Sequence, residues 1–240
     1  MFPGPAMAPF ASDYETTVQG LHGTSTNGLA EIAQSLFDGF DYVEALENQL
    51  GPTGYTPSPG VSYGADPIGQ RLQTIAAMCS ESVTGHCPEV FHLDIGGFDT
   101  HSDEDLFTLN SGTLGSTLKL LCDALGAFHE DMRQRQIDYV VVTVSEFGRR
   151  AGESDSNGTD HGDGGVMMLM GPEVDGGKIH GQWGSLDDIV LGNLPTTTDV
   201  RNVLGEVLER YALLSPADLD IVFPSCAPSP FVYSPIGVMK

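Results

Sequence analysis

The amino-acid sequence predicts an α/β fold with a mostly parallel sheet and helices on both faces. Residues 89–95 alternate apolar and polar side chains, which is the pattern of a half-buried strand. Apolar residues then recur at helical spacing, and residues 137–144 form an almost continuous β-branched run, typical of a buried parallel strand. Because a helix that joins two such strands forms a right-handed crossover, we expect the two strands to be parallel. The apolar stripe of the helix consists of Leu114, Leu118, Leu121, Cys122, Leu125, Phe128 and Met132.

Ahead of these segments the sequence predicts an arm and two helices. Residues 1–26 are rich in Pro, Gly, Ser and Thr and are expected to form an extended arm. Asn27 is the expected N-cap of a helix that continues to about Leu50. A loop with four prolines covers residues 51–67 and is followed by a helix over residues 68–79.

Behind the β-branched run the sequence predicts further strands and a last helix. Residues 166–170 form a short apolar strand, and residues 178–183 are a candidate edge strand. Thr198 is expected to begin a helix with one apolar face. Together these elements make a single α/β domain over residues 27–224, and residues 225–240 form a Pro-rich tail.

The charge of the chain excludes one class of partner. With 33 acidic and 10 basic residues among 240, the net charge is −23, which repels phosphate backbones and excludes nucleic acid as a partner. No segment approaches the roughly 18 apolar residues that a membrane-spanning helix needs. The first ten residues contain prolines and no basic residue, so we expect no signal peptide in this chain and a soluble protein. Composition does not predict the oligomeric state.

Asp99 and His101 form the first candidate metal-binding pair. They lie in the turn GFDTH that follows the first predicted strand. In an extended backbone, residues two apart point to the same side, so both side chains can face one ion. A carboxylate with an imidazole suits zinc, manganese or iron(II), whereas calcium prefers oxygen ligands alone. The alternative is a helix-capping turn in which His101 hydrogen-bonds to the backbone.

Two more motifs supply candidate ligands near the second predicted strand. Glu146 lies in SEFGR, directly past that strand, and Asp160 and His161 lie in GTDHG, before the third strand. Residues 153–165 are mostly Gly, Asp, Ser and Asn, so this stretch can curl its ligands inward. Ligands collect outside the carboxyl ends of parallel strands. The predicted metal ligands are therefore Asp99, His101, Glu146, Asp160 and His161.

Arg149 ends the SEFGR motif and has two interpretations. It forms a buried ion pair with Glu146 that locks the turn, or it contacts an anionic substrate, because a guanidinium group matches phosphate or sulfate bidentately. On the second interpretation, Arg149 and Glu146 are the candidate catalytic residues.

From about Phe91 to Pro224 the sequence resembles the bacterial domain-of-unknown-function family 1501, which belongs to the alkaline-phosphatase-like clan. The three motifs above carry the resemblance. A glycine-rich stretch at residues 171–181, the sequence PTTTDVR at residues 195–201 and VFP at residues 222–224 add to it. The resemblance implies an alkaline-phosphatase-like fold, and it implies export, because members of the family are often exported.

The clan also implies a chemistry. Its phosphatases, sulfatases and cofactor-independent phosphoglycerate mutases place two divalent metal ions at the strand ends, held by an Asp and a His across a short spacer and by an Asp-His pair before a Gly. By resemblance, those roles fall to Asp99, His101, Asp160 and His161, with Glu146 as a further ligand.

One part of the family pattern is not found. Nothing before Phe91 matches the N-terminal strand and its Arg-Gly-Gly-x-Asp-Gly-Leu-like turn, which in the clan provides a metal-binding Asp and, nearby, the nucleophile. We therefore expect a member truncated at the N-terminus, with one metal ion or none.

Two functional hypotheses follow. The first is a metal-dependent hydrolase of small phosphate or sulfate esters, with zinc, manganese or iron as the cofactor. The second is a truncated, non-catalytic family member that serves as a binding or assembly module with a protein partner.

Overall fold

A computed structural model describes residues 29–51, 54–80, 88–104, 112–182, 185–224 and 231–240. The predicted arm over residues 1–26 and the predicted cap Asn27 lie outside these residues. The chain divides into two compact units. The smaller unit takes in the chain up to Pro57 and Gln73–His92, and the larger unit takes in Ser58–Leu72 and Leu93–Lys240.

Five α-helices lie within the described residues. They are α1 (Leu29–Leu50), α2 (Pro67–Ser80), α3 (Gly112–Arg135), α4 (Val200–Tyr211) and α5 (Pro216–Val222). The first four confirm the predicted helices to within about two residues. Helix α5 was not predicted, because Pro216 resembles a stop signal. In fact it occupies the first turn, where its missing N–H is not needed, and Ser215 and Asp218 form a capping box around it.

In the smaller unit, the C-terminal half of helix α1 has two buried side chains. Tyr42 and Leu46 lie one turn apart and are only 6% and 3% exposed. The hydroxyl of Tyr42 donates a hydrogen bond to the carbonyl of Met78, 3.2 Å away, and Ala76 and Ala77 of helix α2 are buried in the same unit. Residues four apart on a helix share a face, so the apolar spacing of the sequence accounts for this packing.

The prediction of a mostly parallel sheet is wrong. The described residues form two separate antiparallel ladders of two strands each. Strand β1 (Val141–Val142) pairs with β4 (Leu169–Met170), and β2 (Gly148–Arg149) pairs with β3 (His161–Gly162). Residues 89–95, and the described part of the predicted edge strand (178–182), form no strand.

The physical reason is that side-chain pattern predicts an extended backbone but not its partner. The β-branched run favours extension. Its pairing partner is not the predicted strand at residues 89–95 but the segment around Met168, which pairs with it in the antiparallel direction. The backbone N–H of Thr143 donates to the carbonyl of Met168 at 3.0 Å, and the N–H of Met168 donates to the Thr143 hydroxyl at 2.9 Å. The alternating pattern of residues 89–95 also agrees with their exposure, since Leu93 and Ile95 are less exposed than His92 and Asp94. These residues nevertheless form no β-ladder with another strand.

Helix α3 contributes buried residues to the core of the larger unit. Leu121, Phe128 and Met132 of its predicted stripe are buried, whereas Leu118 and Cys122 are exposed. The fully buried carboxylate of Asp131 accepts hydrogen bonds from the N–H of Ser58 and the hydroxyl of Tyr63, both at 2.9 Å. Nε of Arg135 donates to the same carboxylate at 3.0 Å. Asp131 is therefore paired, as a buried charge must be, and it fixes the segment before α2 against α3.

No helix among the described residues is both long enough and apolar enough to cross a bilayer.

Candidate metal centre

The first half of the site is an extended segment after residue 95. Gly97 has a φ of 94°, a conformation that glycine adopts without strain, and the chain then continues past Asp99 to His101. The side chains of Asp99 and His101 point to the same side. Nε2 of His101 lies 3.1 Å from Oδ1 of Asp99, as their spacing of two predicts.

The second half is the hairpin of strands β2 and β3. In its register, His161 lies opposite Arg149 and Gly162 opposite Gly148. A side chain at position 162 would not fit, because a Cβ atom there would lie 2.6 Å from the carbonyl carbon of Arg149. Gly158, in the connection, packs directly on the backbone of His101, where a Cβ atom would also overlap. The glycines of the GTDHG motif thus bring His161 beside the first half of the site.

Three side chains converge where the two halves meet. Nε2 of His161 lies 2.7 Å from Oδ1 of Asp99, and one donor atom each from Asp99, His101 and His161 all lie within 4.8 Å of one another. The imidazole rings are 5.0 Å apart between centroids and inclined by 32°. The side chains of Asp99, His101 and His161 are 64%, 50% and 48% exposed, so their potential ligand atoms are open to solvent.

The donor set fits a zinc, manganese or iron(II) ion. Two imidazole nitrogens and one carboxylate oxygen are ligands that these metals accept, whereas calcium requires oxygens. Bond lengths near 2.1 Å in a tetrahedral site place the ligand atoms about 3.4 Å apart. The separations of 2.7 and 3.1 Å from Asp99 therefore need to open by about 0.7 and 0.3 Å to reach this spacing.

Electrostatics favour the ionised form of Asp99. The hydrogen bond from His161 is the largest cause that lowers the pKa of this carboxyl below its ordinary value. Burial opposes it and is the next-largest effect, and the charges of His161, His101 and Arg149 each lower the pKa further. The carboxylate is consequently ready to bind a cation at neutral pH.

Phe147 supports His161 from the other side. Its ring stacks on the imidazole at 3.7 Å between centroids with an inclination of 12°. The Arg149 guanidinium carbon lies 5.0 Å from the centroid of the same ring. The stacked ring covers one face of the imidazole and so limits its rotation. The sequence places Phe147 in the SEFGR motif, but nothing in the pattern reveals the stacking.

Two predicted ligands lie outside the three-residue group. Oδ1 of Asp160 is 3.5 Å from Nδ1 of His101, on the far side of that ring from Asp99. Glu146 is exposed and is not among the residues whose donors converge. The structure thus brings together three of the five residues predicted as ligands.

Arg149 hydrogen-bonds to the backbone of both halves of the site. Its NH1 group donates to the carbonyl of Thr100 at 2.6 Å and to that of Thr159 at 2.5 Å, and its NH2 group donates to the carbonyl of Phe98. NH2 also lies 3.9 Å from Oδ1 of Asp99. No ion pair between Arg149 and Glu146 is present among the described residues.

Glu104 is a further residue of the site that the sequence did not reveal. It is 1% exposed, although it stands in an acidic run that favours a solvated helix terminus. Its carboxylate accepts hydrogen bonds from the hydroxyl of Thr100 at 2.7 Å and from the N–H and hydroxyl of Thr159 at 3.2 and 3.0 Å. Only the tertiary structure identifies this carboxylate as buried.

A family model described as "Protein of unknown function (DUF1501)" matches residues 62–210. The chain belongs to this family. The DUF1501 match contains Asp99, His101 and His161, so the three converging residues all lie in the family region. No curated protein and no solved structure shows a significant match to the chain. The family resemblance is thereby confirmed, and membership of the alkaline-phosphatase-like clan stays a prediction.

Proposed function

We propose that this DUF1501 protein binds one divalent zinc, manganese or iron ion through Asp99, His101 and His161 and hydrolyses phosphate or sulfate esters. One observation carries the proposal: donors from two turns that are 62 residues apart in sequence converge within 4.8 Å. Exposed acidic groups are common, but two imidazoles that face one ionised carboxylate are a ligand set typical of transition-metal sites.

Each residue has a distinct task. Asp99 supplies the negative charge that offsets part of the ion's charge, and the two imidazoles supply neutral nitrogen donors. When bound, such an ion supplies a Lewis acid that polarises the ester and activates water as the nucleophile. Three protein ligands leave coordination positions open, which distinguishes catalytic from structural zinc sites.

The substrate class rests on the resemblance of the motifs to a clan that includes phosphatases and sulfatases. The net charge of −23 opposes long-range attraction of anions, so a small ester is favoured over a polyanion. The Arg149 hydrogens that are bonded to carbonyls are not available to the substrate.

The test is metal analysis combined with hydrolysis assays. Protein stripped with a chelator and reloaded with Zn²⁺, Mn²⁺ or Fe²⁺ is expected to retain about one equivalent and to hydrolyse aryl phosphate or aryl sulfate. His161→Ala and Asp99→Asn should each lower metal affinity at least tenfold and abolish turnover. The exposed His92→Ala is the matched control and should change neither. Wild-type protein that retains no metal would refute the proposal.

A non-catalytic binding or assembly module is the second candidate. The observation that favours it is the openness of the site: the ligands are about half exposed or more, and the hydrogens that Arg149 directs at the site are bonded to backbone carbonyls. Stoichiometric metal without turnover of either ester would support this candidate over the hydrolase.

A further inference from the structure

The two halves of the metal site are joined by a buried carboxylate. Glu104 follows His101 by three residues and is 1% exposed, and it hydrogen-bonds both to Thr100 in the first half and to Thr159 in the second. Burial of an ionised carboxylate is costly unless it is fully hydrogen-bonded. The three donors and the Arg149 guanidinium, whose NH1 lies 3.9 Å from Oε1, provide that compensation.

Arg149 makes a second connection between the same two halves. Two of the carbonyls it binds, those of Phe98 and Thr100, flank Asp99, and the third, that of Thr159, precedes the Asp160-His161 pair. Its planar guanidinium group directs several N–H groups in fixed directions, which a flexible ammonium group cannot reproduce. The carbonyls, and with them the neighbouring metal ligands, are therefore held at set positions.

We propose that Glu104 and Arg149 are positioning residues of the metal site, which hold Asp99 and His101 at binding distance from His161 before an ion arrives. The inference rests on the proposed metal binding. Two turns separated by about 60 residues must be brought together by some source of free energy. Ordering the two turns costs conformational entropy. If the folded protein has already ordered them, binding of the ion does not have to offset this cost.

A purely structural role for Glu104 predicts a different result. In that case its removal lowers the stability of the folded protein, but the folded fraction binds metal with unchanged affinity and unchanged ligand geometry. A positioning role predicts weaker metal binding and an altered site in protein that remains folded.

The experiment compares Glu104→Gln with Glu153→Gln, an exposed glutamate in the connection between β2 and β3. Affinity for Zn²⁺ is measured by competition with a chromophoric chelator, and the absorption spectrum of Co²⁺ bound in place of zinc reports the ligand geometry. Glu104→Gln should lower Zn²⁺ affinity 10- to 100-fold, the range typical of residues that orient metal ligands, and should alter the Co²⁺ spectrum. Glu153→Gln should match the wild type in both.

Two further variants keep the test decisive. Thr159→Val removes one hydroxyl donor to Glu104 but keeps the shape of the side chain, and it should produce a smaller loss of Zn²⁺ affinity. It provides the test if Glu104→Gln fails to fold. Arg149→Lys keeps the charge but not the planar fork and should also weaken binding. Unchanged Zn²⁺ affinity in folded Glu104→Gln or Thr159→Val would overturn the proposal.

Failure of metal binding itself is recognised separately. In metal-free protein, the imidazole ¹⁵N signals of His161 report its hydrogen bond to Asp99. If wild-type protein binds no metal, the proposed function fails. The positioning role then stands if Glu104→Gln, unlike Glu153→Gln, displaces those signals, and it is refuted if the signals do not move.

Discussion

At the scale of single residues, the proposed metal site depends on one carboxylate and two imidazoles. Asp99 accepts from His161 at 2.7 Å and lies 3.1 Å from Nε2 of His101. Residue type and spacing predicted all three as candidate ligands, because only a few side chains bind transition metals. Their convergence, however, depends on the backbone of Gly158 and Gly162, which approach more closely than any residue with a Cβ atom allows.

The lowered pKa of Asp99 gives a prediction with a defined sign. Its carboxyl is more acidic in the folded protein, so its contribution to stability is present above the ordinary Asp pKa and is lost as pH falls through the lower, folded value. His161→Ala removes the main cause and should raise the Asp99 pKa toward its ordinary value. Carboxyl ¹³C titration by NMR measures the change. His92→Ala should leave the titration as it is, and an unshifted pKa in His161→Ala would exclude the hydrogen bond as the cause.

At the scale of elements, four of the five described helices followed from the sequence, whereas the pairing of the strands did not. The hydrogen bonds of a helix join residues four apart, so local pattern and caps fix its limits. Helix α4 shows this. Asp199 accepts a hydrogen bond from the N–H of Arg201 at 2.9 Å, one residue after the predicted start at Thr198. Strands β1 and β4 pair across more than 25 residues, and only the folded chain determines that pairing.

The cap of helix α4 yields a stability prediction. Asp199→Ala leaves the backbone N–H of Arg201 without its acceptor and should lower the free energy of unfolding by about 1 kcal/mol, measured by urea denaturation. Asp199→Asn retains a capping oxygen and should cost less. Thr197→Ala, two residues earlier and exposed, is the control and should change little. Equal losses for Asp199→Ala and Thr197→Ala would contradict the assigned cap.

At the scale of the larger unit as a whole, one buried glutamate holds the C-terminal residues in place. Glu206 of helix α4 is 7% exposed. Its carboxylate accepts from the backbone N–H groups of Ile236, Gly237, Val238 and Met239. Residues 239 and 240 also pair with the turn after β4, where the N–H of Lys240 donates to the carbonyl of Glu173 at 2.9 Å. Part of the predicted Pro-rich tail is thus packed against a helix.

Removal of this carboxylate should release the C-terminal residues. Hydrogen bonds to a charged group contribute about 1.5–3 kcal/mol each in mutational series, so Glu206→Ala should lower unfolding free energy by at least about 1.5 kcal/mol. Amide hydrogen exchange at residues 236–239 should accelerate, and Glu206→Gln, which keeps one acceptor oxygen, should have an intermediate effect. Unchanged exchange in Glu206→Ala would show that other contacts hold the segment.

The sequence by itself determined helices α1 to α4, the family and the types of side chain that make up the candidate site. These depend on local spacing and on residue chemistry, which a linear pattern records. Tertiary structure alone decided that the ladders are antiparallel, that His161 joins Asp99 and His101 while Glu146 and Asp160 do not, and that Glu104 is buried. Each of these outcomes depends on contacts between residues distant in sequence, whose free energy exists only once the chain has folded.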